Sequence, residues 1–185
     1  GTHPTKGSYF TRGTTRDPYA RYSERGPDYI YNMERLLRKF ASAAKLVPPP
    51  VVRPAAGKTS LGVIYFGSTT PAMQEALEVL ESEEGIQVDA MRLRAFPFAD
   101  SVAQFLADHE RVFVVEQNRD AQMRSLLVNE LGVAPERLVA VLHYDGTPIT
   151  ARFIAKVIAE KVKGKQAAKP EPLPEPPQPI VTPMK

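Results

Sequence analysis

The side chains best suited to chemistry fall into a few short stretches. Near the start, Arg12, Thr14, Thr15 and Arg16 interleave two guanidinium forks with hydroxyls, a set able to grip carboxylate or phosphate oxygens. An extended arm lying on a partner protein, with its tyrosines as anchors, is the competing reading, and single-stranded nucleic acid a third. In Gly67-Ser-Thr-Thr-Pro71, a glycine that permits a tight turn precedes Ser68, Thr69 and Thr70. These hydroxyls suit the cap of a following helix, whose free N–H groups could hold an anion; plain capping and an anion site both stay open. The run lacks the Gly-Lys-Ser/Thr ending of a P-loop and the spaced glycines of a dinucleotide fingerprint. Glu116, Asn118 and Arg119 end the apolar run Arg111-Val-Phe-Val-Val-Glu116. A carboxylate there is costly without a partner, and Arg119 is the expected one. No second carboxylate or nucleophile stands beside it, which favours a structural network over acid–base catalysis. His143 precedes Tyr144-Asp-Gly146, a turn sequence, so its ring is either a general base or a structural group.

Other chemistries are excluded by composition. The 185 residues contain no cysteine, which removes disulfides, thiol nucleophiles and cysteine-ligated clusters from this chain. His3, His109 and His143 have no metal-ligand spacing, so no metal is expected. The formal net charge of +3 is too small to argue for nucleic acid. No apolar run is long enough to span a membrane, and Gly1-Thr2-His3-Pro4 has no signal-peptide character. A cytoplasmic location is the expectation.

Positioning these residues requires a scaffold, and the sequence changes character along its length. Residues 1–27 form an irregular arm rich in Arg and Tyr. Asp28 reads as an N-cap, and Met33, Leu36, Leu37 and Phe40 share one face of a helix over 28–46. Residues 47–60, opening Val47-Pro-Pro-Pro-Val-Val-Arg-Pro54, read as a stiff linker that continues neither a helix nor a central strand. From 61 to 163 short apolar runs alternate with amphipathic segments. The runs are Leu61 to Phe66, Val88 to Leu93, Arg111 to Glu116 and Leu138 to Leu142. Between and after them fall Met73–Leu80, Val102–Leu106, Met123–Leu131 (closed by Gly132) and Phe153–Ile158 (capped by Thr150). Continuous apolar strands alternating with such helices predict an α/β fold, a mostly parallel sheet with helices on both faces. The loop Phe96-Pro97-Phe98 is too apolar for solvent and implies burial against another domain, another chain, or its own core. Residues 164–185 hold seven prolines among Lys, Glu and Gln, and are expected to be disordered.

Four motifs converge on one family. Thr2-His-Pro-Thr-Lys-Gly-Ser-Tyr-Phe-Thr-Arg-Gly-Thr-Thr-Arg-Asp17, Gly67-Ser-Thr-Thr-Pro71, Arg94-Ala-Phe-Pro-Phe98 and Val115-Glu-Gln-Asn-Arg-Asp-Ala-Gln122 occur in order. Together they resemble the C-terminal portion of the α subunit of 2-oxoglutarate:ferredoxin oxidoreductase, over roughly residues 1–160. The resemblance implies a transketolase C-terminal-like domain in an enzyme that decarboxylates a 2-oxoacid onto coenzyme A and reduces ferredoxin. It implies a complex using thiamine diphosphate, Mg and a [4Fe–4S] cluster. The implied partners are a β subunit, the N-terminal domains of α, and ferredoxin through the complex. No Gly-Asp-Gly thiamine signature occurs in this chain and it has no cysteine, so none of these cofactors is expected to be held by it alone. Catalysis by the isolated chain is not expected. The alternative is an independent flavodoxin-like module that binds an anion, a nucleotide or a protein.

Overall fold

The computed structural model describes residues 3–5 and 13–164. Arg12 and the Pro-rich segment from 165 onward lie outside the described residues. The arm forms a short antiparallel pair, β1 (Thr15–Arg16) and β2 (Tyr22–Ser23), followed by helix α1 (Gly26–Ala43). Asn32 of α1 ties the arm down, its Nδ2 donating to Thr15 Oγ1 at 2.8 Å and to the Arg16 carbonyl at 2.7 Å.

The α/β unit comprises β3 (Val51–Arg53), β4 (Leu61–Phe66), α2 (Thr70–Ser82), β5 (Asp89–Leu93) and α3 (Asp100–Asp108). It continues through β6 (Arg111–Glu116), α4 (Gln122–Leu131), β7 (Leu138–Leu142) and α5 (Ala151–Val162). The strand order is β3-β5-β4-β6-β7, parallel throughout except for β3, which runs antiparallel along β5. Helices cover both faces, as the sequence predicts. Val63, Phe113 and Val115 meet α2 and α5 on one face, whereas Ile64, Val112 and Val114 meet α3 and α4 on the other. Strands sandwiched in this way must be apolar at every position, which is why period-2 alternation is missing from them. Each fully buried Ile, Leu or Phe contributes about 1.5–3 kcal/mol.

The structure corrects three boundary expectations. Helix α1 begins at Gly26 with Pro27 in its first turn, so Asp28 lies inside the helix and Arg25 occupies the cap position. Prolines are favoured at a first turn, where the missing N–H has no partner to lose. Within the segment read as linker, Val51–Arg53 is a strand. It survives between prolines because it lies at the sheet edge, where a lost donor costs little. The strand expected from Val88 starts one residue later, at Asp89. Among the described residues, no helix is long and apolar enough to cross a membrane.

The amino end of the sheet is locked by His109, which is 5% exposed. Its Nδ1 lies 2.6 Å from the Phe105 carbonyl and its Nε2 lies 2.9 Å from Asp89 Oδ2. The other oxygen of Asp89 accepts the Ala55 N–H at 2.7 Å, fastening the exit of β3 to β5. The Phe105 and His109 rings lie 4.3 Å apart over Gly62 of β4. A Cβ at Gly62 would meet Phe105 Cε1 at 2.9 Å and His109 Cγ at 3.1 Å, which both rings must shift to avoid. Gly62→Ala is therefore expected to destabilise the chain by about 1–3 kcal/mol in urea unfolding, with an unchanged m-value.

Candidate functional site

In an open parallel sheet the ligand crevice opens at the switch point, where the connections from two neighbouring strands lead in opposite directions along the sheet. Here that point lies between β4 and β6, since β4 connects through α2 to β5 on one side and β6 connects through α4 to β7 on the other. A cleft of about 480 Å³ opens there, lined by Gly67, Ser68, Thr69, Glu116, Gln117 and Asn118 beside apolar Phe66, Met123 and Leu126. A second cleft of about 250 Å³ shares Phe66, Gly67 and Met123 and adds Leu93, Arg94, Phe96 and Phe98. Phe96 meets Phe98 edge-on at 5.3 Å and Phe40 of α1 at 6.2 Å, yet stays 42% exposed. The apolar loop is thus covered in part by the chain itself.

Glu116 has no exposed surface. Its Oε2 accepts from the Met123 N–H at 2.7 Å and from Asn118 Nδ2 at 2.8 Å, and its Oε1 accepts from the Arg124 N–H at 3.0 Å. The carboxylate therefore caps α4 from the end of β6, where the helix dipole favours negative charge. This replaces the expected Arg119 partner: the Arg119 guanidinium turns outward and pairs with Asp120 at 2.7 Å. The geometry explains why, since backbone donors reach a buried carboxylate without bringing a second charge out of water. Asn118 completes the turn, its Oδ1 accepting from the N–H groups of Asp120 at 3.1 Å and Gln122 at 3.3 Å. Ala121 between them is held in the left-handed region at φ 50°.

The hydroxyl run is engaged differently from a helix cap. Gly67–Thr69 forms a 3₁₀ turn that runs into α2, and Thr69, at the cap position, has helical dihedrals and caps nothing with its side chain. Thr70 Oγ1 donates to the Gly67 carbonyl at 2.7 Å. Gln117 Nε2 reaches across the crevice to Ser68 Oγ at 3.1 Å and Thr69 Oγ1 at 3.2 Å. Sequence reading missed Gln117 as the clasp, although its place between Glu116 and Asn118 puts it on the opposite side of the chain from Glu116.

His143 is tied in place. Its backbone N–H donates to the Glu116 carbonyl at 2.9 Å, its Nε2 lies 2.9 Å from the Thr147 carbonyl, and its ring meets Phe153 edge-on at 4.9 Å. Asp145 accepts from the Thr147 N–H at 2.8 Å and from its hydroxyl at 2.7 Å, the turn that Asp145-Gly146 predicts. The structure brings Ser68, Thr69, Glu116 and Asn118 together, with Thr70 one residue behind. It places Arg119 on the surface and His143 one strand away. In the arm, Thr15 is buried with its hydroxyl taken by Asn32, and Thr14 is exposed. Among the described residues, no group of three or more His, Asp or Glu is placed to hold a metal.

The sequence is 28% identical over 125 residues to 2-oxoacid:ferredoxin oxidoreductase 2, subunit alpha, of Aeropyrum pernix. This chain is similar to a piece of such an α subunit. The match covers 65% of the chain but 19% of the relative. The fold is similar to that of 2-oxoglutarate:ferredoxin oxidoreductase from Magnetococcus marinus, solved with 2-oxoglutarate, coenzyme A and succinyl-CoA bound. The TM-score is 0.72 at 20% identity, over 87% of this chain and 28% of that one. No family model matches. The sequence match agrees with the family read from the four motifs, the structural match agrees with its fold, and both place this chain against a fraction of a longer polypeptide.

Two measurements probe the site. Glu116→Ala strands two helix N–H groups and the Asn118 amide, and is expected to cost about 3 kcal/mol or more in denaturant unfolding. A purely catalytic Glu116 would leave unfolding unchanged. Asp145 is held below its usual carboxyl range, chiefly by the Thr147 hydroxyl, then by the Thr147 N–H. A carboxyl lowered on folding stabilises above its unfolded value and loses that stabilisation as pH falls through the lowered one. Asp145→Asn is therefore expected to cost stability at neutral pH, with the deficit closing on the acid side of the carboxylate range.

Proposed function

We propose that the chain acts as the C-terminal part of the α subunit of a thiamine-dependent 2-oxoglutarate:ferredoxin oxidoreductase. The complex would convert 2-oxoglutarate and coenzyme A to succinyl-CoA while reducing ferredoxin. The observation that carries this is the 28% identity over 125 residues to a 2-oxoacid:ferredoxin oxidoreductase α subunit. The choice of 2-oxoglutarate rests on the Thr-Arg-Gly-Thr-Thr-Arg-Asp stretch of the arm and is supported by the fold likeness to an enzyme solved with that substrate.

In this role the chain contributes assembly and pocket closure. The α/β unit is the rigid body, and the arm carrying Arg12, Thr14, Thr15 and Arg16 is the part offered to substrate or coenzyme A. The donor set does not fit the resident cofactors: the chain has no cysteine for an iron–sulfur cluster and no acidic cluster for Mg among the described residues. Thiamine diphosphate, Mg and [4Fe–4S] would therefore sit on the β subunit and the rest of α. What counts against an independent anion-binding module at Ser68–Thr70 is the crevice itself, whose floor is a carboxylate and whose hydroxyls are engaged by Gln117.

Reconstitution tests the proposal. The purified chain is expected to give no 2-oxoglutarate-dependent reduction of ferredoxin. Adding it to the β subunit and the remainder of α is expected to restore that reduction. Full turnover by the partners without this chain, or turnover by the chain alone, would overturn it.

A further inference from the structure

The uncovered corner of the sheet, at β3 and β5, holds two guanidinium groups and a phenol. Arg92 of β5 is the cross-strand partner of Tyr65 on one side and of Val51 on the other. Arg53 pairs with Ala90, which pairs with Val63, so it lies one row away on the same face. Neither guanidinium makes a hydrogen bond or an ion pair with a described residue. Arg92 is half-buried and its Nε is shut off from water with no acceptor. Buried donors of this kind are nearly always satisfied, and more strictly so when charged.

The Tyr65 hydroxyl marks the same gap. Burial pushes the phenol up, and Arg92 and then Arg53 pull it back; no carboxylate acts on it. Glu81, across a small cavity lined also by Arg53, is instead within reach of Gln87 Nε2 at 3.5 Å. Arg92 and Arg53 thus share the sheet face of this hydroxyl, next to the exposed edge residues Val51 and Val52.

We propose that Arg92, Arg53 and the Tyr65 hydroxyl form an oxyanion site that takes a carboxylate or phosphoryl group. The guanidinium of Arg92 turns edge-on to the oxyanion, which gives Nε and one Nη their acceptors, and Arg53 closes from the neighbouring strand. Tyr65 donates its hydroxyl proton in a third hydrogen bond. The site lies on the β3–β5 corner, apart from the β4–β6 crevice, and does not depend on the proposed enzymatic role.

Thermal unfolding of the whole chain tests it, with potassium phosphate as the free anion and a hexaglutamate peptide as the protein-borne carboxylate. Potassium chloride at matched ionic strength is the control. One or both probes are expected to raise Tm by a few degrees beyond chloride, and Arg92→Met and Arg53→Met are each expected to abolish the rise. A rise with phosphate alone assigns a small phosphorylated ligand, and a rise with the peptide assigns an acidic partner segment. No rise with either probe overturns the site, as does a rise that survives Arg92→Met or disappears in Ser68→Ala. A readout on the unmutated chain guards against misfolded variants. The alkaline phenolate step that Tyr65→Phe removes is expected to move to higher pH in the presence of the effective probe, because the bound anion cancels the two cations. An unmoved step overturns the proposal.

Discussion

A carboxylate with no exposed surface closes the third apolar strand of this sheet, and the whole carboxyl edge is organised around keeping it satisfied. Glu116 receives two N–H groups from the first turn of α4 and an amide from Asn118, while its own carbonyl accepts the N–H of His143 at the end of β7. One residue thereby fixes the direction of α4, the left-handed step at Ala121 and the register of β6 against β7. The neighbouring Gln117 faces the other way and clasps Ser68 and Thr69, so the crevice is spanned by an amide rather than by a charge. The crevice sets these polar groups beside apolar Phe66, Met123 and Leu126.

The amino edge follows the same logic with different chemistry. There Asp89 accepts from the backbone of Ala55 and faces His109, which in turn meets the Phe105 carbonyl. Arg137 adds hydrogen bonds to the carbonyls of Leu106 (2.6 Å) and His109 (2.5 Å). Buried polar groups at both ends of the strands are thus completed by backbone partners, and such networks specify one arrangement more than they add net stability. The exception is Arg92, whose Nε finds no acceptor among the described residues.

The apolar runs were enough to read the α/β unit, because a strand covered on both faces cannot hide its pattern. The core strands β6 and β7 span the segments expected of them. Thr150 caps α5 by accepting the Phe153 N–H at 3.2 Å. Edge strand β3 was illegible for the converse reason: three residues between prolines carry no pattern, and only pairing with β5 makes them a strand. The need for a partner at Glu116 followed from desolvation alone, but its identity did not. Charge complementarity favoured Arg119, whereas the answer lay in helix N–H groups, whose position depends on a loop conformation that no residue spacing reveals. Thr69 failed as a cap for a related reason, since a 3₁₀ turn had already given it helical dihedrals.

Helix α1 carries the apolar stripe of a packed helix, yet none of its residues is buried, and Ile30 and Leu37 stand 58% and 71% exposed. A stripe of this kind normally contributes most of a helix's stability by being covered. Here Asn32 and Asp28 tie α1 to the arm, Asp28 accepting from the Ser23 hydroxyl, and the Phe40–Phe96 contact ties it to the apolar loop. The α/β unit has two buried apolar cores, one on each face of the sheet, whereas α1 has the composition of a buried element without the burial. A part of a larger assembly would have this asymmetry: a sheet covered on both faces, and beside it a helix whose apolar stripe stands open.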